Sequence, residues 1–152
     1  MNEDRGLEWV YRQHGDRLWW AVLAFAGDRE VASDAVAEAF AQALRRGDAI
    51  RSPIPWIWRA AFRIAAGELK RRSRVNPVQR EESYELPEPA GDVIAALGRL
   101  SARQRSAVIL HYYADYSLKE VASILGSSPA TVAVHLHRGR KRLRELLGDE
   151  HE

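Results

Sequence analysis

Apolar residues in the first part of the chain fall three and four apart: Leu7, Val10, Tyr11, Leu18, Val22 and Phe25. That spacing predicts an amphipathic helix. Gly27 ends it, and Asp28 is placed to cap the next helix, with Glu30 near the positive end of its dipole. The second helix carries a stripe of Val31, Ala35, Ala39 and Ala43, widened by Ala32, Val36, Phe40 and Leu44. A loop, GDAIRSPIP, follows, and its prolines set up a helix start near Pro55. In the third helix, expected over 56–72, Trp58, Ala61, Phe62, Ala65 and Leu69 share one side, flanked by Ile57 and Ile64. At about 100° per residue, Arg59, Arg63 and Lys70 form a narrow band on the other side. Arg74 extends that band if the helix continues, and Trp56 stands at its edge.

The pattern then breaks. RVNPVQREESYELPEPAGD holds three prolines, many acids and few large apolar residues, so it reads as a flexible linker between domains. Helical spacing resumes with Val93, Ile94, Leu97 and Leu100. Ser101 and Gln104 fit a capping box for a helix bearing Val108, Ile109 and Tyr112. Ser117 and Glu120 fit a second, ahead of a short helix with Val121, Ala122, Ile124 and Leu125 inward. Gly126 supplies a turn, Ser128 caps, Pro129 takes the first helical position, and the last helix runs to about Leu147. A short helix, a tight turn and a longer helix make a helix-turn-helix. The expected fold class is all-α, with two small helical domains joined by a flexible linker: 1–75, an acidic proline-containing linker over 76–92, and 93–152.

Composition narrows the function classes. Of 152 residues, 46% are hydrophobic and 29% charged, a mix that suits a soluble folded protein. The absence of cysteine excludes disulfides and thiolate metal sites. The polar N-terminus is no secretory signal, and the longest apolar stretch, 18–26, is about half a membrane span. A cytoplasmic protein without membrane insertion is expected. The net charge of +2 conceals blocks: four Arg against eight acids over 1–44, nine cations against two acids over 45–74, and five cations with no acid over 135–144. Two basic blocks make a polyanion the leading partner candidate.

The last helix has two sides. Val132, Leu136, Gly139 and Leu143 should pack inward, while Ala130, Val134, His137, Arg138 and Lys141 face away. Small residues near the start of a recognition helix let it approach bases, and cations further along hold phosphates. Val134 suits a thymine methyl, and Arg138 suits guanine or phosphate. On the third helix, cations beside Trp56 suit single-stranded or opening DNA, where an aromatic stacks on a base. Trp56 reads equally as a core edge; Trp58 reads as core, and Trp9, Trp19 and Trp20 as core or helix interface. Asp34 and Glu38 share a helix side without a nearby His, so an exposed acidic face is expected, solvated or docked on a basic partner, rather than a catalytic pair. His135 and His137 point about 200° apart and cannot chelate together. No phosphate loop, nucleophile elbow or zinc motif is present. No enzyme activity, cofactor or metal is expected.

These stretches resemble the extracytoplasmic-function (ECF) group of the sigma-70 family, bacterial RNA polymerase initiation factors. GDREVASDAVAEAF is similar to the region-two helix that docks on polymerase, and PWIWRAAFRIAAGELKRRSR to the helix that melts and reads the −10 element. The stretch from LSARQRS to RLRELL is similar to the region-four helix-turn-helix that binds the −35 element. The resemblance implies that Asp34, Glu38 and Phe40 bind core polymerase at the β′ clamp, with the β flap as a second contact. It implies a −10 surface of Trp56, Arg59, Arg63, Lys70 and Arg74. It implies a −35 surface of Ser128, Ala130, Thr131, Val134, His135, Arg138 and Lys141. Promoter DNA and an anti-sigma factor are the other implied partners. The chain departs from the family at Ala37, Arg63, Gly67 and Ala133–His135, so a promoter preference of its own is expected. The alternatives are a sigma-like decoy that binds an anti-sigma factor without initiating transcription, and a stand-alone helix-turn-helix regulator.

Overall fold

The computed structural model describes residues 3–75 and 90–148, and every element among them is helical. The linker expected over 76–92 falls mostly on residues 76–89, outside the described residues. The order is α1 (Glu3–Ala26), α2 (Arg29–Arg46), a 3₁₀ turn (Gly47–Ala49), α3 (Pro53–Val75), α4 (Ala90–Gly98), α5 (Ala102–Val108), a π-helical turn (Ile109–Tyr113), α6 (Leu118–Leu125) and α7 (Pro129–Leu147).

The caps are local chemistry. Asp28 accepts from the Val31 N–H at 3.0 Å and starts α2. Ser101 with Gln104, and Ser117 with Glu120, form complete capping boxes that start α5 and α6. Each box satisfies two backbone donors that a helix start would otherwise leave open. Gly126 closes α6 at φ +66°, a left-handed conformation in which a side chain would be strained. The π-helical turn after α5 is not legible in the spacing. There the Ala114 N–H reaches back five residues to the Ile109 carbonyl, widening the helix by one residue before the chain turns.

α1, α2 and α3 pack on one another, α5, α6 and α7 form a second group, and α4 touches α1 and α7. Trp58, Leu18, Leu23, Ile57 and Val22 fill the first group, and Leu110, Val121 and Val132 the second. The apolar cluster is continuous across both, because α1 and α3 also meet α4, α5, the π-helical turn and α6. Burying a large apolar side chain contributes about 1.5–3 kcal/mol, so the shared part of this cluster ties the groups together.

Several side chains lie elsewhere than their spacing suggested. Trp9 (54% exposed) and Trp20 (47%) lie on the open side of α1 rather than in a core or helix interface. Only Trp19 is partly packed, its Nε1 donating to Ser33 Oγ at 3.0 Å. Leu44, Val93 and Tyr112 are also exposed, because α2, α4 and the π-helical turn bury narrower stripes than the sequence offers.

Candidate protein-docking and nucleic-acid surfaces

Three surfaces carry the residues singled out by sequence. The first is the outer side of α2, where Asp34 is exposed and Glu38 half-buried. Ala37 and Ala41 stand beside them at helical spacing and add only methyl groups to that side. Arg45 donates to Glu38 Oε1 at 3.0 Å, so one carboxylate already has a cation beside it. Phe40 is half-buried, meeting the Tyr11 ring edge-on at 5.2 Å, and Leu44 is open next to it. An acidic strip with an apolar border suits a helix that presents both cations and apolar side chains.

The second surface is the cationic side of α3. Arg59, Arg63, Lys70 and Arg74 are all exposed along it. Trp56 is half-buried against the core, and the Arg46 guanidinium lies 5.5 Å over its ring. Trp56 is therefore a core edge with one face already covered by a cation, an arrangement both sequence readings allowed. The end of α3 is pinned in place. Arg71 donates to Glu68 through Nη2 at 2.7 Å and Nε at 3.1 Å. Arg72 bridges Glu68 at 3.2 Å and Asp28 at 2.8 Å, tying α3 to the residue that caps α2. The hydrogen bond from Arg71 holds the Glu68 carboxyl down at about 2, with Arg72 adding to it against the opposing effect of burial.

The third surface is α7. Ser128 Oγ accepts from the Thr131 N–H at 3.1 Å and donates to Thr131 Oγ1 at 2.9 Å, which fixes the start of the helix. Val132, Leu136 and Gly139 are buried. Gly139 is required by close approach: a Cβ there would stand 2.9 Å from Val108 Cγ2 of α5. On the open side are Ser128, Ala130, Val134, His137, Arg138 and Lys141. Val134 is 45% exposed on that side. Thr131 and His135 are half-buried, so they stand at the border of the surface. Further along, Arg138, Lys141 and Arg142 line an open cleft of about 420 Å³ together with Arg99, Gln104 and Glu145. Arg99, at the end of α4, was not pointed to by sequence spacing. Only the packing of α4 on α7 brings it beside Arg138.

Among the described residues no cluster of His, Asp and Glu could hold a metal ion, and no helix is long and apolar enough to cross a membrane.

The geometry agrees with what the chain is similar to. The family described as "Sigma-70, region 4" matches residues 90–143. "ECF RNA polymerase sigma factor SigE" of Mycolicibacterium smegmatis is 28% identical over 91% of this chain, which spans 60% of that protein's length. "ECF RNA polymerase sigma factor SigL" of Mycobacterium tuberculosis is 29% identical over 91% of this chain and 86% of its own. The fold is also that of the sigma factor RpoE from Bartonella quintana, solved in complex with the anti-sigma factor NepR. The match has a TM-score of 0.78 at 21% identity, and covers 94% of this chain and 97% of that one.

Proposed function

We propose, for a chain that belongs to the ECF group of the sigma-70 family, that it binds core RNA polymerase and directs initiation at promoters with −10 and −35 elements. The observation that carries the proposal is the combination of surfaces on one chain. An acidic face on α2, a cationic row on α3 and a helix-turn-helix ending in α7 come in the order the function needs. A transcription factor that only bound DNA would use α7 and leave the acidic face idle.

In this reading Asp34, Glu38 and Phe40 meet the β′ clamp of polymerase, and the second helical group meets the β flap. Trp56, Arg59, Arg63, Lys70 and Arg74 hold the −10 region. Their charges follow phosphates while the duplex opens, and Trp56 supplies a stacking face once Arg46 swings away. Ser128, Ala130, Thr131, Val134, His135, Arg138 and Lys141 meet the −35 duplex. The helix tip fits the major groove, and Arg138 and Lys141 hold phosphates. No covalent step is required of the chain, whose work is binding and positioning. Coupling two weak DNA modules on one polymerase raises their joint affinity through effective concentration. Residues 1–75 and 93–152 serve as the two modules, with 76–92 as the connection. An anti-sigma factor, the partner in the RpoE structure, is the regulator expected to hold this chain off polymerase.

Transcription with purified core polymerase on genomic templates tests the proposal. A promoter-specific transcript is expected, and none from folded protein would overturn it. The Asp34→Lys/Glu38→Lys protein should keep its helical content and lose core binding by about 100-fold, the scale of reversing a buried interfacial charge pair. Unchanged binding would move the dock elsewhere.

A further inference from the structure

The open cleft beside α7 is built from three segments of chain. Arg138, Lys141 and Arg142 come from α7 itself, Arg99 from the turn after α4, and Gln104 from the first turn of α5. The turn that carries Arg99 is held firmly. Leu97 and Leu100 are buried on either side of it. The Arg99 N–H donates to the Ala96 carbonyl at 3.0 Å, and the Leu100 carbonyl accepts from Arg105 Nη1 at 3.0 Å. Gly139, without a side chain, lets α5 close on α7, with the Gln104 carbonyl 3.4 Å from where a Cβ would stand. Packing therefore fixes the backbone of Arg99 beside α7 and leaves its side chain exposed.

The charges of the cleft are not balanced within it. Four cations face one carboxylate, Glu145, which Arg142 approaches at 3.4 Å. Arg99, Arg138 and Lys141 make no ion pair among the described residues. Cations three and four apart on a helix repel one another, and Arg99 adds a further one from outside. Gathering them costs stability unless an anion joins them. Gln104 adds to the same chemistry. Its Oε1 accepts from the Ser101 N–H at 3.3 Å, so its amide N–H groups are what it has left to offer a ligand. Guanidinium and amide N–H groups are the donors that phosphate oxygens take.

The cleft lies open along the surface. It suits a phosphate carried on a polymer lying across it, not a small molecule that must be engulfed. Its place on α7 points to the polymer. Val134 is exposed one helical turn before Arg138. A helix about 10–12 Å wide fills a major groove about 12 Å wide, so the phosphates of the flanking strands lie against its sides. An arginine on an element packed alongside the helix is placed to meet that backbone.

We propose that the cleft is a phosphate seat for the −35 duplex, in which Arg99 of the α4–α5 turn and Arg138 of α7 hold one backbone phosphate between them. This rests on the proposed function. Arg99 then acts as a positioning residue. A helix held only by its own side chains can roll in the groove. A contact from a second element, fixed to the helix by the core, sets its angle of entry.

Full-length protein and a mixed-sequence duplex of about 20 base pairs test the seat, because phosphate contacts do not depend on sequence. Binding is followed by fluorescence anisotropy from about 50 to 200 mM salt. Arg99→Ala should lower the slope of log affinity against log salt by about one contact, and weaken binding about three- to tenfold at the low-salt end. Arg99→Lys should keep the slope and recover part of the affinity, because the charge stays and the planar fork is lost. The melting temperature of Arg99→Ala should not fall below that of wild type, since the side chain is exposed and joins no ion pair. Arg12→Ala, which removes a cation of α1 outside the cleft, should leave the slope unaltered. In the Arg99→Ala/Arg138→Ala protein the loss should be smaller than the product of the two single losses, because both residues hold the same phosphate. An unaltered slope in Arg99→Ala, or a double loss equal to that product, overturns the seat. Failure of the wild-type chain to bind the duplex at the low-salt end overturns it as well. So does competition by pyrophosphate, beyond that of sodium chloride at equal ionic strength, that Arg99→Ala abolishes, since the cleft then belongs to a free anion. If Arg99→Ala lowers the slope while core polymerase binds no form of the chain, the seat stands and the sigma-factor reading fails.

Discussion

α3 and α7 are both long, basic and amphipathic, yet their charges sit in different surroundings. The cations at the end of α3 are tied down, with Arg71 and Arg72 sharing Glu68 and Arg72 reaching on to Asp28. Those of α7 that face outward, Arg138 and Lys141, line an open cleft and make no ion pair among the described residues. α7 also places small and apolar side chains, Ala130 and Val134, ahead of its cations. α3 therefore carries an open row of Arg59, Arg63, Lys70 and Arg74 that ends in a pinned turn, and α7 a slim tip with open charge behind it. Charge alone does not distinguish the two helices. What surrounds the charges does.

The widest expected difference lies in the two helical glycines. Gly139→Val in α7 forces a branched side chain into Val108 and should cost about 1–3 kcal/mol in a denaturation experiment. A neutral result would mean that α5 and α7 can move apart. Next in size, Arg138→Ala and Lys141→Ala should each lower the salt dependence of duplex binding by about one phosphate contact, equally for all −35 sequences. A sequence-dependent loss at Arg138 would instead make it a base reader. Gly67, on the open side of α3 with nothing within 4 Å, gives the opposite sign to Gly139. Gly67→Ala should stabilise the protein by about 0.4–1 kcal/mol, visible as a higher melting temperature. The smallest effect concerns pH. Glu68 is held at about 2, below its ordinary value, so it contributes stability above the unfolded carboxyl range. That contribution fades as pH falls from about 4.5 towards 2. Glu68→Gln should flatten the acid limb of the stability curve, and an unaltered limb would show that the Arg71 and Arg72 contacts do not persist in solution.

Much of the fold was written in local signals. Ser101, Ser117 and Ser128 each start a helix because a side-chain oxygen beside an open N–H acts over a few residues. Gly126 stops one for an equally local reason. The packing side of α7 was legible from period alone, since Val132, Leu136 and Gly139 must face together. Trp9 and Trp20 were misread because a large apolar residue on a helix does not say whether a partner covers it. The π-helical turn was missed because one extra residue in a turn leaves the spacing of Ile109 and Tyr112 ambiguous. Arg99 was missed because its place beside Arg138 depends on how α4 lies on α7.

The sequence by itself determined the helices, their caps, most of their inward faces, the acidic side of α2 and the basic sides of α3 and α7, because each depends on neighbours within a turn or two. Tertiary structure alone decided which of those surfaces are free. Arg17 finds Asp115 across 98 residues of chain, and Trp58 finds Tyr116 because α3 and α6 share a core. No periodicity encodes such meetings. They arise when two apolar faces, each legible by itself, close on one another, and here that closure packs the second helical group on α1 and α3.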